Sequence, residues 1–233
     1  MKENEFINEL AKLNINLNED QLFKLDKFYN LLITWNEKIN LTRIVSKEDV
    51  YLKHFYDSLT LIKEVDLTKD LTLCDVGTGA GFPGIVLKIV FPNLKITLID
   101  ALQKRVNYLN EIIKDLELTD ICAIHARSED YARNNYEKFD VVTARAVANL
   151  RILSELCIPM VKVNGYFVAM KASVIDEVND SKSILKELNS EIISINEFTL
   201  PYENSLRTLI KITKNDKTSH KYPRKFDKIK NSK

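Results

Sequence analysis

Four of the five glycines in this 233-residue chain lie in one stretch, "CDVGTGAGFPG" (residues 74–84), at Gly77, Gly79, Gly81 and Gly84. Glycine is used where backbone must turn sharply or approach something closely. An aspartate, Asp75, stands just before the turn, and a second, Asp100, closes the next apolar run, where a ribose-binding carboxylate is expected. From Gly79 the residues satisfy G-x-G-x-x-G, a pattern that a purely structural turn can also show. Asp75 separates the possible ligands. A pyrophosphate over this turn would meet a like charge, at a cost of roughly 4 kcal/mol for a pair about 4 Å apart in an effective dielectric near 20. S-adenosylmethionine instead presents an ammonium and a sulfonium, which a carboxylate attracts. The stretch therefore reads as a methyl-donor site, with Asp75, Gly77, Gly79 and Phe82 at the turn and Asp100 on the ribose.

Two more short stretches follow apolar runs and complete the pocket by position. "HARSED" (residues 125–130) offers Ser128 and Glu129 to an adenine, although Ser-Glu-Asp also suits a helix N-terminus. "TARAVANL" (residues 143–150) places Arg145 where an acceptor would meet the methyl group.

The acceptor is narrowed by what is missing. No Pro-Pro-Tyr-type loop serves an exocyclic amine, and Cys74, Cys122 and Cys157 fall in apolar strands or a helix, where thiols are inert. Lys171 could act as a base toward a ribose hydroxyl, but no acid–base set accompanies it. Guanine N7 has a lone pair and no proton to lose, so it needs only positioning, and arginine matches its Hoogsteen edge. Arg127 and Arg145 are the candidates for that task. A small-molecule or protein acceptor, or a nucleotide-sensing module without catalysis, remain the alternatives.

The elements that must position these residues alternate. "LTLCDVG", "KITLID", "ICAIHA", "FDVVTAR" and "GYFVAMK" are β-rich apolar runs separated by helical stretches such as "QKRVNYLNEIIKDLEL". Such alternation implies βαβ units and a parallel sheet covered on both faces. "SEIISINEFTLP" and "SLRTLIKIT" have no helix between them and should pair as an antiparallel hairpin. Upstream, Leu22, Leu25, Phe28, Leu32, Trp35 and Ile39 recur at helical spacing, and another helix should start at Ser46 and run to about Glu64. The expectation is an α/β, doubly wound Rossmann-like sheet of about seven strands. It divides into a helical cap (1–65), a catalytic domain (66–213) and a basic tail (214–233).

Net charge is only +1, yet residues 211–233 carry nine basic and two acidic side chains, a polarity that suggests a polyanionic partner. No apolar run is long enough to span a bilayer, the first residues are unlike a secretory signal, and no metal-ligand spacing occurs. A cytoplasmic monomer without metal or membrane attachment is expected.

With these residues gathered, the sequence resembles the RsmG (GidB) family of bacterial methyltransferases from about Phe28 to Arg224. The motifs are "WNEKINLT" (35–42), "HFYDSL" (54–59), "DVGTGAGFPG" (75–84), "LIDALQKR" (98–105), "ARSED" (126–130), "TARAVA" (143–148) and "KYPRK" (221–225). The resemblance implies a class I fold and S-adenosylmethionine-dependent methylation of a guanine N7 in small-subunit (16S) ribosomal RNA, free or in the small ribosomal subunit. It also implies donor contacts at Gly77, Phe82, Asp100, Ser128, Glu129 and Arg145. His54 and Asp57, three apart on one helix face, either line the acceptor side or pin the cap to the sheet. Lys171, Lys221, Arg224 and Lys225 are the expected RNA contacts. Ala101, Ala126 and Ala172 stand where the family commonly has Ser, Gly and Gly.

Overall fold

Local sequence sets the first elements of the computed structural model, which describes residues 1–145, 148–172 and 177–231. α1 (Glu3–Ala11) buries Phe6 and Leu10. α2 (Glu19–Ile39) begins with a reciprocal cap: Gln21 N donates to Asn18 Oδ1 at 2.8 Å, and Asn18 N donates to Gln21 Oε1 at 3.0 Å. It buries Leu25, Phe28 and Leu32, and ends at Asn40 in the left-handed region. Asn36 Oδ1 then accepts from the backbone N–H of both Leu41 and Thr42.

Ser46 caps the next helical segment as expected, its Oγ accepting from Asp49 N at 3.2 Å. The segment is continuous but not uniform. α3 (Lys47–Val50) runs into a π-wound stretch (Tyr51–Tyr56), then α4 (Asp57–Leu59) and a 3-10 turn (Thr60–Lys63). The π-wound stretch contains His54, and such insertions frequently mark functional positions.

β1 (Thr72–Val76), α5 (Gly84–Val90), β2 (Lys95–Asp100), α6 (Gln103–Asp115) and β3 (Ile121–His125) form the first half of the sheet. α7 (Ser128–Arg133), β4 (Phe139–Arg145), α8 (Leu150–Cys157), β5 (Val161–Lys171) and α9 (Glu177–Glu187) form the second. The antiparallel pair β6 (Ser190–Thr199) and β7 (Leu206–Lys214) follows, and α10 (Phe226–Lys230) closes the described chain. The seven strands are ordered β3-β2-β1-β4-β5-β7-β6, with β1 to β5 mutually parallel and β7 antiparallel to β5. The later strand of the hairpin lies inside because β7 buries consecutive residues, Thr208, Leu209 and Ile210, whereas β6 has the alternating exposure of an edge.

Apolar side chains close two cores, one on each face of the sheet. One joins the N-terminal helices to α5 and α6, through Phe28, Phe55, Phe82, Ile85 and Leu109. The other joins α8, α9 and the end of the chain, through Leu153, Phe167, Leu185, Tyr222 and Ile229. Two expectations change here. Cys122 is exposed, because β3 is an edge strand. The basic segment beyond residue 214 is docked against the body and ends in a short helix. Among the described residues no helix is long and apolar enough to cross a membrane, and no cluster of His, Cys, Asp and Glu could hold a metal.

Candidate active site

The parallel strands deliver Asp75, Asp100, His125, Arg145 and Lys171 at or next to their carboxyl ends, the edge where open α/β sheets bind ligands. Between β1 and α5 the chain turns through Gly77, Gly79 and Gly81 at φ of 70°, 60° and 93°. The glycines serve different ends. A Cβ on Gly81 would lie 2.6 Å from Ile85 Cγ1, and one on Gly84 would lie 2.2 Å from Leu98 Cδ2, so these two permit helix–sheet packing. A Cβ on Gly79 would meet only the Gly77 carbonyl at 3.9 Å, which leaves open space above that residue.

Asp75 is fully buried beneath this turn. Its Oδ2 accepts from Thr78 Oγ1 at 2.6 Å and Gly84 N at 2.9 Å, while its Oδ1 has no partner. Burial is the main influence on its acidity and, against those two hydrogen bonds, pushes the carboxyl up to about 6. A buried carboxylate oxygen without a donor, beneath a turn with open space at Gly79, fits a cationic group and not a phosphate. Asp100 is more occupied than expected. Oδ2 accepts from Gly79 N at 3.0 Å and Arg105 Nη1 at 3.3 Å, and Oδ1 accepts from Leu102 N at 2.9 Å. A carboxylate offers about four lone-pair sites, so holding both hydroxyls of a ribose requires one of these donors to leave. Arg105 is the most distant of the three donors.

At the end of β3, Arg127 occupies the cap position of α7, and Ser128 is the first residue of that helix. The N-cap expected at Ser128 is thus displaced by one residue. Glu129 is buried and Ser128 half-buried. Arg127 is exposed, and strands β2 and β1 separate its strand from that of Arg145. The two arginines expected to share one base are therefore not brought together.

Arg145 faces the N-terminal helices. Its Nη1 donates to Asp57 Oδ2 at 3.0 Å and to the Lys53 carbonyl at 3.2 Å, and its Nη2 donates to His54 Nδ1 at 3.1 Å. The guanidinium carbon lies 5.2 Å from the Phe82 ring centroid, and His54 stacks on the same ring at 4.4 Å. Phe82 thus belongs to the core and also couples the glycine turn to this cluster. Burial and the neighbouring Arg145 charge push His54 down to about 3, so its imidazole is neutral. Since Nδ1 accepts, Nε2 carries the proton and donates to Thr42 Oγ1 at 3.0 Å. The pair ties the N-terminal helices to β4 through Arg145 and also lines a cavity there.

Sequence reading missed one participant. Arg207, at the start of β7, donates from Nε to Asp57 Oδ1 at 3.0 Å, so a single buried carboxylate bridges two arginines. The available signal was an arginine bordering an apolar strand, the same signal that singles out Arg145. His54, Asp57, Arg145, Lys171 and Arg207 line a cavity of about 260 Å³. Three of the five N–H groups of Arg145 are committed to protein partners, whereas the contacts of Arg207 through Nε and Nη1 leave three. Lys171 is tied to Glu177 Oε2 and the Ala148 carbonyl, each at 2.7 Å. Of the loop after β4, Ala146 and Val147 lie outside the described residues.

The expected RNA contacts near the C-terminus divide. Lys225 is exposed and Lys221 pairs with Glu187, but Arg224 turns inward onto the buried Glu155. Its guanidinium is therefore held by protein before any RNA arrives.

Known proteins resemble this chain closely. Ribosomal RNA small subunit methyltransferase G of Bacillus cytotoxicus is 46% identical over 224 residues, covering 95% of this chain and 94% of its own. The protein of the same name from Oceanobacillus iheyensis is 46% identical over 228 residues, covering 97% and 96%. Among solved structures, MtNAS in complex with MTA and tNA superposes with a TM-score of 0.55 at 16% identity, covering 84% of this chain and 74% of that one. Methanococcus jannaschii fibrillarin, a pre-rRNA processing protein, gives 0.50 at 20% identity, covering 65% and 70%. These likenesses show the fold alone, a doubly wound α/β sheet of seven strands. Residues 21–205 match the GidB family, described as rRNA small subunit methyltransferase G, and the chain belongs to that family.

Proposed function

We propose that this protein transfers a methyl group from S-adenosylmethionine to N7 of a guanine in small-subunit (16S) ribosomal RNA, in the cytoplasm. One observation carries the choice of acceptor: the cavity offers donors, but among the described residues each group on its wall that could take a proton is engaged. His54 Nδ1 accepts from Arg145, Asp57 is held by two guanidiniums, and Lys171 is paired with Glu177. An amine or hydroxyl acceptor must lose a proton, and none of these groups is placed to take it. A ring nitrogen with a lone pair needs orientation and dry surroundings only.

When bound, the cofactor supplies an electrophilic methyl group. The chain's residues hold and shield it. Asp75 attracts the methionyl ammonium, Gly79 leaves room above the turn, and Asp100 takes the ribose after exchanging Arg105. Ser128 and Glu129 border the position of the adenine. On the acceptor side, the remaining N–H groups of Arg207 and Arg145 orient the Hoogsteen edge of the base. Phe82, packed under His54 and Arg145, closes the floor between the two halves. The buried Asp57 bridge keeps both guanidiniums in place with a net charge of +1, which favours an electron-rich edge over a cation.

The test is methyl transfer from labelled donor to small-subunit RNA that lacks the modification, followed by chain cleavage specific for N7-methylguanine. Label at a single cleavable guanine is expected. Label on an exocyclic amine, a ribose or a pyrimidine carbon would refute the assignment.

A further inference from the structure

The basic end of the chain is built into the fold as a strap. β7 finishes at Lys214, whose Nζ donates to the carbonyl of Val161 at 2.9 Å, so the strap starts at the amino ends of the parallel strands, away from the site. It then climbs the outer face of α8. Near the bottom, Lys221 Nζ pairs with Glu187 at 2.8 Å, at the end of α9. Next along the strap, Arg133 Nε, at the end of α7, donates to the Pro223 carbonyl at 3.2 Å, beside the last turn of α8. Arg224 clamps Glu155 there with its backbone N–H at 2.7 Å, Nε at 2.9 Å and Nη2 at 2.6 Å. At the top, Arg151 Nη1, in the first turn of α8, donates to the Ile229 carbonyl at 3.1 Å. Next to Arg151, Leu150 N donates to Glu177 Oε2, and Glu177 pairs with Lys171 in the cavity wall. The route is continuous from the strap to the mouth of the acceptor cavity.

Glu155 is fully buried, and Tyr222 and Ile229 are core residues. A buried ion pair is a poor choice for stability alone, because a well-packed apolar pair does as well or better. Its distinctive property is geometric: three donors on two carboxylate oxygens fix the path of the backbone on both sides of Arg224. The next residue is the exposed Lys225, and α10 presents the exposed Lys230.

We infer that the strap is a preset phosphate grip at the rim of the site. The Arg224–Glu155 clamp holds Lys225 and Lys230 where they engage two backbone phosphates of the RNA whose base enters the cavity. Arg224 is then a positioning residue. This inference rests on the proposed RNA substrate.

The test uses the full chain and a single-stranded fragment of small-subunit RNA. For Lys225→Ala/Lys230→Ala, the slope of log affinity against log salt should fall by about 1.4, at roughly 0.7 per single-strand phosphate contact. Affinity at 0.1 M salt should drop about 25-fold, with KM for RNA raised and donor binding, the check on folding, retained. A second variant, Glu155→Leu/Arg224→Met, keeps both lysines and leaves no unpaired buried charge. It should lose a similar part of the slope while still binding donor. A wild-type slope in the lysine variant overturns the grip. A wild-type slope in the clamp variant, with the lysine variant impaired, overturns the preset geometry. If the clamp variant loses donor binding as well, it is unfolded and the lysine variant decides alone. Wild-type protein that neither binds nor methylates RNA overturns the underlying assignment instead, a result distinguishable from all of these.

Discussion

Neutralising Asp75 should make the protein more stable and a worse binder of its cofactor. Its carboxyl sits at about 6 in the folded chain against an ordinary 3.8, chiefly because of burial. Between those two values the folded state holds a proton that the unfolded state has released. The contribution of this group to stability is therefore present below pH 3.8 and lost as pH rises through about 6. At pH 8 the buried charge costs about 3 kcal/mol, the difference in pKa taken at 1.36 kcal/mol per unit. Asp75→Asn should therefore raise the melting temperature at pH 8 by several degrees. Binding should move the other way. A methionyl ammonium beside Oδ1 favours the carboxylate, so donor binding at pH 6, where the free site is about half protonated, should release up to about half a proton. At pH 7.5 the release should fall to roughly a few hundredths. Calorimetry of donor binding without RNA, in buffers of different ionisation enthalpy, measures this release. In the asparagine variant the release should vanish and affinity should drop roughly 10- to 150-fold, the worth of one hydrogen bond to a charged group at about 1.5–3 kcal/mol. No proton release by the wild type at pH 6, or full affinity in the variant, would refute the role of the unpartnered oxygen.

His54 is neutral in the folded chain, with its pKa depressed to about 3 by burial and Arg145. Its stabilising contribution is complete above pH 6.5 and is lost as pH falls toward 3, so urea midpoints should decline across that window and decline less in His54→Gln. Arg207→Lys keeps the charge but not the planar fork, and should lower kcat/KM for RNA by roughly 10- to 100-fold with donor affinity intact. Steady-state assays with separately titrated RNA and donor would show it, and an unchanged kcat/KM would remove Arg207 from the site. Gly84→Ala would press a Cβ to 2.2 Å from Leu98 Cδ2 and 3.0 Å from Asp75 Oδ2. Thermal melts should show a loss of about 1–3 kcal/mol from overpacking, whereas Gly79→Ala, at φ 60° with open space above it, should lose about 1–2 kcal/mol from backbone strain alone and weaken donor binding as well.

Much of this protein was legible in its residue order, because the signals are short-ranged. Alternating apolar runs announced a covered parallel sheet, the clustered glycines announced a turn at its edge, and the carboxylates Asp75 and Asp100 were visible at the ends of the two strands beside that turn. Asn18, Ser46 and Asn149 cap helices through bonds spanning only three residues. Tertiary structure decided what depends on residues far apart in the chain. Asp57 meets Arg145 and Arg207 across separations of 88 and 150 residues, and no local pattern marks Arg207 as the second half of that bridge. The division of Arg127 from Arg145 follows from strand order, and β7 displaces β6 from the interior because its apolar residues need burial on both faces. The basic residues of the last segment were visible as charge. Which of them face solvent was settled by Glu155, a buried carboxylate whose desolvation is offset only by an arginine 69 residues away.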